Sequence, residues 1–304
     1  MDSPAYITED RAESYIRQHY PEVRHIELVL RGYHNIVAIT DKTMVFHFPR
    51  TPHSRRRQAF EAQLLPLLKG KLPLQVPEII AYYQEPGYLV TSYISGQHAS
   101  QETVSMFSAT DAASFAEQVI DFMMALNQAV PLKTVRQLWA ANPIGDPHED
   151  WPTYLKRVLG QARFPDNPQL EQLAHQQYSA WKQQTASSDL PTITIHDDLH
   201  CGNLLFHGNR LYGILDFGYT KTGTAAQELR QLSQIDTHLA KVLVQTYCAR
   251  TGSLLSDIEL RNWAITTDFV AYCNRRSRGE SDHPAFIRTR ANLKHYFPKF
   301  AGLF

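Results

Sequence analysis

The chain has 304 residues, of which 43% are hydrophobic and 11% aromatic, enough for sizeable cores in about two domains. Thirty basic residues balance thirty acidic ones, so no overall field favours nucleic acid or an anionic membrane surface. Both partner classes are therefore disfavoured.

The three cysteines and the N-terminus indicate a compartment. Cys201, Cys248 and Cys273 lack the paired spacing of a zinc site or a disulfide framework. The first twenty residues lack a basic and apolar targeting pattern, and no apolar run reaches the length of a membrane span. These features predict a cytoplasmic protein.

The N-terminal third reads as a helix, strands and a second helix. Residues 9–19 form the first helix, entered at Thr8 and stopped before Pro21. Two segments around Asp41-Lys42, "HIELVLRGYHNIVAIT" and "TMVFHFPR", alternate as strands. The second helix runs from Pro52 to Leu68, with Pro66 kinking or ending it. The segments "VPEII" and "GYLVTSYISG" follow as strands.

Two later segments have strong helical signals. The apolar spacing of "FAEQVIDFMMALNQ" predicts a core helix that packs beneath the loop at residues 196–202. Ser256 followed by Glu259 is a capping box that opens another helix. Its Trp263, Phe269 and Tyr272 are predicted to lie in the core rather than on a substrate-binding wall.

The most informative segment, residues 192–220, reads "TITIHDDLHCGNLLFHGNRLYGILDFGYT". A strand, a loop and a hairpin turning at Gly208-Asn209 would bring Asn203 and Asp216 together. Transfer of a γ-phosphoryl group requires a carboxylate for the attacking hydroxyl and oxygen ligands for Mg²⁺. Asp198, Asn203 and Asp216 are the residue types that this chemistry needs.

The motif "HDDLHCGN", followed 13 residues after its Asn by "LDFG", resembles the aminoglycoside phosphotransferase and choline kinase family. The resemblance implies an α+β, two-lobed protein-kinase-like fold: a small N-terminal lobe with an antiparallel sheet plus helix, and a larger, mainly helical C-terminal lobe. Residues 1–96 would be the nucleotide-binding lobe, with the hinge at about 91–96, and residues 97–304 the catalytic and substrate-binding lobe. Asp198 would be the catalytic carboxylate, His196 would brace the loop, and Asn203 and Asp216 would hold Mg²⁺.

The same resemblance implies where ATP or GTP binds. The turn "RGYHN", containing Gly32, would cover the triphosphate, and Glu61 occupies the position of the family's ion-pairing glutamate. Backbone groups of three hinge residues would hydrogen-bond the purine. These are Ser92, Tyr93 and Ile94.

One departure concerns the phosphate-binding lysine of the family. In "MVFHFPR", strand alternation places His47 on one face with Val45, where the cation is expected. Histidine is mostly neutral at pH 7 because its reference pKa is about 6.5. We hypothesise that His47 becomes charged when nucleotide binds, in the field of Glu61 and the triphosphate.

Alternatives to a charged His47 stay open. Arg50 or Arg31 could supply the charge, or the protein could be a non-catalytic nucleotide-binding pseudokinase or sensor. The run Arg55-Arg56-Arg57 is predicted to be mainly a solvated helix face, with phosphate binding as the alternative. The intact set at positions 198, 203 and 216 favours catalysis. A second departure is Asp197, where the family usually has glycine.

The acceptor is predicted to be a small molecule with a hydroxyl group. Only 12 residues separate Asp216 from Glu228, which leaves no room for the segment with which protein kinases dock peptides. An aminoglycoside-like antibiotic, an amino alcohol and a sugar all fit. Carboxylates for a polycationic acceptor are available at Asp257, Glu259, Asp268, Glu280 and Asp282.

Overall fold

A computed structural model describes residues 6–30, 34–142 and 151–304. The chain divides into two compact units. The first comprises Met1–Gly145 and Ile193–Gly223, and the second comprises Asp146–Thr192 and Thr224–Phe304. The predicted lobe boundary near residue 96 stays a prediction.

Within its described residues, the first unit contains a five-stranded antiparallel sheet in the order β1-β2-β3-β5-β4. The strands are β1 (Ile26–Val29), β2 (Asn35–Thr40), β3 (Met44–Pro49), β4 (Ile79–Tyr83) and β5 (Tyr88–Ser92). The predicted turn at Asp41-Lys42 is confirmed, and both residues take a positive φ there. The Asp41 carboxylate accepts the backbone N–H groups of Arg24 and His25 and so stabilises the turn.

Two helices pack against this sheet. Helix α1 (Glu9–His19) buries Ala12 and Ile16 in a cluster with Phe46 and Phe48 of β3. Helix α2 (Pro52–Leu68) begins at Thr51, whose hydroxyl caps it by accepting the N–H of Ser54, and Pro66 lies in its last turn. Its buried side chains include Phe60, Leu64, Leu65 and Leu68, at the predicted helical spacing.

The rest of the first unit holds the motif-bearing segment. Its elements are β6 (Gln97–His98), α3 (Gln101–Ser105), α4 (Ala109–Ala129), α5 (Leu132–Ala141), β7 (Ile193–Ile195), β8 (Leu204–His207), β9 (Arg210–Ile214) and β10 (Lys221–Gly223). Strands β8 and β9 pair antiparallel around Gly208-Asn209, as predicted, and Gly208 takes a φ of 60°. The α4 side chain of Asn127 accepts the N–H of Thr194 in β7 at 3.0 Å. The predicted packing of α4 beneath the motif is thus confirmed.

The described part of the second unit is helical. It consists of α6 (Trp151–Leu155), a π-helical turn (Lys156–Gly160), α7 (Pro168–Ala186), α8 (Ala225–Leu229), α9 (Thr237–Thr251), α10 (Asp257–Ser277) and α11 (Pro284–Tyr296). Trp263, Phe269 and Tyr272 of α10 are buried, which confirms the prediction of core. Ser256 caps α10 by accepting the N–H of Glu259. None of the described helices is long and apolar enough to cross a membrane.

Asp268 of α10 gives a stability prediction. Burial raises the pKa of this carboxyl to about 7, although the Asn292 amide, which donates to it at 3.0 Å, opposes the shift. Between pH 4 and 7 the unfolded chain ionises Asp268 while the folded chain keeps it protonated. The contribution of Asp268 to the free energy of unfolding therefore falls as pH rises, by at most about 1.4 kcal/mol per pH unit.

Asp268→Asn is expected to remove this pH dependence. The free energy of unfolding of the variant should therefore increase relative to that of the natural chain as pH rises from 4 to 7. The check is the free energy of urea unfolding across that range. Asp257→Asn, at the exposed start of the same helix, is the control and should leave the slope unchanged. Equal slopes for the natural chain and Asp268→Asn would contradict the prediction.

Candidate active site

His196 holds the loop between β7 and β8 against the end of the β8–β9 hairpin. Its Nε2 donates to the carbonyl oxygen of Leu215 at 3.0 Å, and its Nδ1 accepts the N–H of Asp198 at 3.3 Å. The buried ring lies 4.7 Å from the Phe217 ring, and burial lowers its pKa. A neutral imidazole with these two bonds supports the predicted bracing role.

Asp198 and Asn203 lie at the two ends of one tight loop and contact each other. The Asn203 amide Nδ2 donates to the Asp198 carbonyl oxygen at 2.9 Å and to its Oδ2 at 3.1 Å. His200 Nε2 lies 3.7 Å from the same Oδ2. Burial by itself would raise the Asp198 pKa, but His200, His196 and Arg57 outweigh it and lower that pKa. Asp198 is therefore a carboxylate at neutral pH.

Asp216 comes next to Asn203 through the backbone. The N–H of Leu215 donates to the Asn203 carbonyl oxygen at 2.9 Å. Asp216 follows with a φ of 62°, in the left-handed region, at the start of a 3-10 turn (Phe217–Tyr219). This strained backbone position turns the chain away from β9 and leaves the Asp216 side chain 43% exposed. The structure thus brings Asp198, Asn203 and Asp216 to one place.

The donor set fits a divalent cation. Because its Nδ2 is engaged by Asp198, the oxygen Oδ1 of Asn203 is the atom left for a metal, and Asp216 offers a half-exposed carboxylate. Both are hard oxygen donors of the kind that Mg²⁺ takes, with water and phosphate oxygens completing its octahedron. The described residues contain no group of three or more His, Cys, Asp or Glu side chains that could hold a metal ion.

His47 and Glu61 have separate partners. His47 Nε2 lies 3.2 Å from Thr91 Oγ1 on the neighbouring strand. Burial lowers the pKa of His47 to about 4, although the Asp216 charge opposes this shift. The Glu61 carboxylate instead accepts the N–H of Phe217 at 3.0 Å. Burial, and after it the nearby Asp216 charge, raises the Glu61 pKa to about 7. Without nucleotide, His47 is therefore neutral at pH 7.

Arg57 is the buried cation beside the candidate metal ligands. Its side chain is 5% exposed, and its Nη2 lies 3.6 Å from Asp216 Oδ1. Nε donates to the Gly218 carbonyl oxygen at 3.3 Å, and the guanidinium lies over the Tyr219 ring. The predicted solvated face for the Arg55–Arg57 run is therefore wrong for Arg57, while Arg56 is exposed.

Of the two other arginines proposed to supply the charge, Arg50 lies among the described residues. Arg50 pairs with Glu9 of α1 and donates to the Leu30 carbonyl oxygen. Arg31 and Gly32 lie outside the described residues. His34, which follows them, receives or donates a hydrogen bond to Tyr219 Oη at 3.0 Å. Burial, followed by the Arg57 charge, lowers the His34 pKa to about 4.

The backbone of the predicted hinge is partly engaged. The N–H of Ser92 donates to Glu78 O at 2.8 Å, and that of Tyr93 to Thr43 O at 2.9 Å. Ile94 N–H donates to no backbone group among the described residues. All three residues line a cavity of about 1040 Å³, whose described walls include neither Asp198 nor Asp216. Their contact with a purine stays a prediction, and Ile94 is the remaining N–H donor for it.

Asp197 stands where the family motif usually has glycine, and the structure shows what accompanies this change. Its φ is 66°, a conformation that glycine adopts without strain. Its carboxylate is buried and pairs with Lys221 Nζ at 2.6 Å. Lys221 stands on β10 directly opposite Ile195 of β7. An ion pair across these strands therefore accompanies the strained residue.

Sequence reasoning ranked phosphate binding by the Arg55–Arg57 run below a solvated face, and it missed Lys221 as a part of this site. Helical spacing offered a signal for Arg57, because it lies four residues before Glu61 and three before the buried Phe60. For Lys221 the signal was weaker, because its partner lies 24 residues away in the chain. The unusual Asp197, whose charge needs a partner when it is buried, was the available hint.

The model of the phosphotransferase enzyme family matches residues 25–266. No curated protein matches the sequence at a significant level.

Several solved structures share the fold. A GDP complex of an aminoglycoside 2'-phosphotransferase-IIIa mutant is 18% identical, with 97% of this chain and 99% of that chain covered and a TM-score of 0.78. The streptomycin–ATP ternary complex of APH(2'')-IIa is 16% identical, with coverage of 94% and 96% and a TM-score of 0.68. The apoenzyme of macrolide 2'-phosphotransferase MphH from Brachybacterium faecium is 19% identical, with coverage of 92% and 96% and a TM-score of 0.62. These likenesses confirm the predicted α+β, protein-kinase-like fold class.

Proposed function

Because this chain belongs to the phosphotransferase enzyme family, we propose that it transfers the γ-phosphate of ATP or GTP to a hydroxyl group of a small molecule, with Mg²⁺. The observation that carries the proposal is the joined geometry of three residues. Asn203 hydrogen-bonds Asp198 through its side chain and Leu215, the neighbour of Asp216, through its backbone. An acid for the hydroxyl and oxygen ligands for the cation are therefore held side by side.

Asp198 acts on the acceptor. Its carboxylate is ionised and one fifth exposed, so it can accept a hydrogen bond from an incoming hydroxyl and aim the oxygen at the γ-phosphorus. Because its pKa is low, orientation comes first. Proton transfer follows as the hydroxyl oxygen forms its bond to the γ-phosphorus and the bond from that phosphorus to the β-phosphate oxygen breaks, which releases ADP or GDP. His200 stabilises the charge of Asp198 from outside, and Asn203 fixes the rotation of its side chain.

Asn203 and Asp216 would hold Mg²⁺, which when bound neutralises charge on the phosphate oxygens. Two solved structures of this fold, described as GDP and ATP complexes, support a nucleoside triphosphate as the donor. The two complexes contain different purines, guanine and adenine, and so support either nucleotide as the donor.

The acceptor is proposed at the level of a hydroxylated small molecule. The solved structures that share this fold include an aminoglycoside phosphotransferase and a macrolide phosphotransferase. Of the five acids that sequence offered for a polycation, Glu259 and Asp268 are buried in α10, and Glu280 pairs with Arg275 at 2.8 Å. Trp263, Phe269 and Tyr272, for which a substrate-binding wall was the alternative to core, are buried. Neither feature narrows the acceptor to one class.

The test is a screen for phosphorylated products by mass spectrometry. ATP and GTP are each supplied with Mg²⁺ and with aminoglycosides, macrolides, choline, homoserine or sugars. The proposal expects a product that gains one phosphoryl group and disappears when Mg²⁺ is chelated. Nucleotide binding in a thermal-shift assay without a product from any acceptor would instead support the non-catalytic sensor.

A further inference from the structure

The position expected to hold a phosphate-binding lysine carries His47, which burial keeps neutral. Resting on the function proposed above, we propose that Arg57 is the cation that binds the nucleotide phosphates. The positive charge of the site is thereby moved from strand β3 to helix α2. His47 then acts as a neutral wall of the nucleotide site.

The first argument is an unsatisfied donor. Arg57 is 4% exposed, and its Nη2 has no hydrogen-bond partner among the described residues. At 3.6 Å from Asp216 Oδ1, this nitrogen attracts the carboxylate without a normal hydrogen bond. A buried guanidinium N–H left without an acceptor is costly, so a phosphate oxygen arriving there would be stabilised.

The second argument is preorganisation. Nε is held by the Gly218 carbonyl oxygen at 3.3 Å, and the flat face of the guanidinium rests on Tyr219 at 3.1 Å from the ring centroid. One helical turn further along α2, the Glu61 carboxylate accepts a hydrogen bond from the N–H of Phe217. Helix α2 therefore contacts the Phe217–Tyr219 turn twice, and these contacts leave Nη2 pointing towards Asp216.

The third argument is the reach of the Arg57 charge. It lowers the pKa of Asp198 and of His34, and Asp216 lies beside it. The charge thus acts on both predicted catalytic and metal-binding carboxylates. Arginine also remains charged at every relevant pH and presents a planar fork that matches two phosphate oxygens. A neutral His47 supplies neither property.

Calorimetry with five variants tests the proposal. Arg57→Met should weaken binding of Mg-ATP and Mg-GTP by about tenfold to a hundredfold, the loss of one or two charge-assisted hydrogen bonds. Binding of adenosine and guanosine should stay the same, because they carry no phosphate. Arg56→Met, the exposed neighbour in the run, is the matched control and should match the natural chain throughout.

The double variant Arg57→Met with His47→Lys restores the charge from the strand and should recover part of the triphosphate affinity. His47→Lys alone should bring little gain, because the site already holds a cation. Arg57→Lys serves if the methionine variant does not fold, and should bind triphosphate more weakly than the natural chain with nucleoside binding intact.

Three results would overturn the inference. The first is an Arg57 variant that binds triphosphates as the natural chain does. The second is an equal loss of nucleoside and triphosphate binding, which indicates a purely structural role. The third is a large gain of affinity in His47→Lys alone. If the natural chain binds neither Mg-ATP nor Mg-GTP, the proposed function itself is wrong, and the two failures are thereby distinguished.

Discussion

Asp198→Asn is expected to lower kcat about a hundredfold to ten-thousandfold while nucleotide binding persists, because a positioned acid–base group contributes that much. The amide oxygen can still accept the hydrogen bond from Asn203, now made to Asp198 Oδ2 at 3.1 Å. The metal ligands and the loop should therefore keep their places. Steady-state turnover with the acceptor found in the screen, together with calorimetric nucleotide affinity, measures the two effects.

The control is Glu117→Gln, the same change of carboxylate to amide on the exposed side of α4. It should match the natural chain in kcat and affinity. Turnover that survives Asp198→Asn within a factor of about three would remove Asp198 from the reaction. Loss of nucleotide binding in the same variant would assign it to the metal site instead.

Lys221→Met is expected to destabilise the protein by about 3–5 kcal/mol, because it removes one partner of a buried ion pair. Asp197 is 4% exposed and its Oδ2 lies 2.6 Å from Lys221 Nζ. The matched control is Lys69→Met, which breaks the exposed pair with Glu78 at 2.7 Å. That loss should be below about 1 kcal/mol. Urea unfolding measures both.

A double-mutant cycle isolates the buried pair. Asp197→Gly removes the carboxylate that pairs with Lys221 Nζ and relieves the strain of the positive φ of 66°. The double variant Asp197→Gly with Lys221→Met should cost less than the sum of the two single variants, since no buried charge remains. Additive losses, or a Lys221→Met effect equal to that of Lys69→Met, would show that the pair does not hold this loop.

Local sequence patterns predicted the elements that carry the site. The turn at Gly208-Asn209 and the alternation of β8 and β9 place Asn203 near Asp216. The apolar spacing of α4 and of α10 predicted their buried faces. Such features depend on residues close in sequence, whose steric and hydrophobic preferences act in the same way in most folds.

Charge states depended on the tertiary structure. Sequence placed His47 where a cation is expected, yet burial keeps it neutral. The Arg55–Arg57 run did not by itself decide that Arg56 faces solvent while the Arg57 guanidinium lies over the Tyr219 ring. A pKa and the worth of an ion pair follow from desolvation and from neighbours brought in by folding.

The sequence by itself determined the chemistry of the site, namely one acid, one amide and a second acid at fixed spacings within residues 196–216, because a short loop and a hairpin suffice to join them. Only the tertiary structure decided which cation stands beside Asp216 and what supports Asp197. Those choices join helix α2 to the Phe217–Tyr219 turn and β10 to the loop after β7. Contacts between segments so distant in the chain exist only once the folded core has excluded water around them.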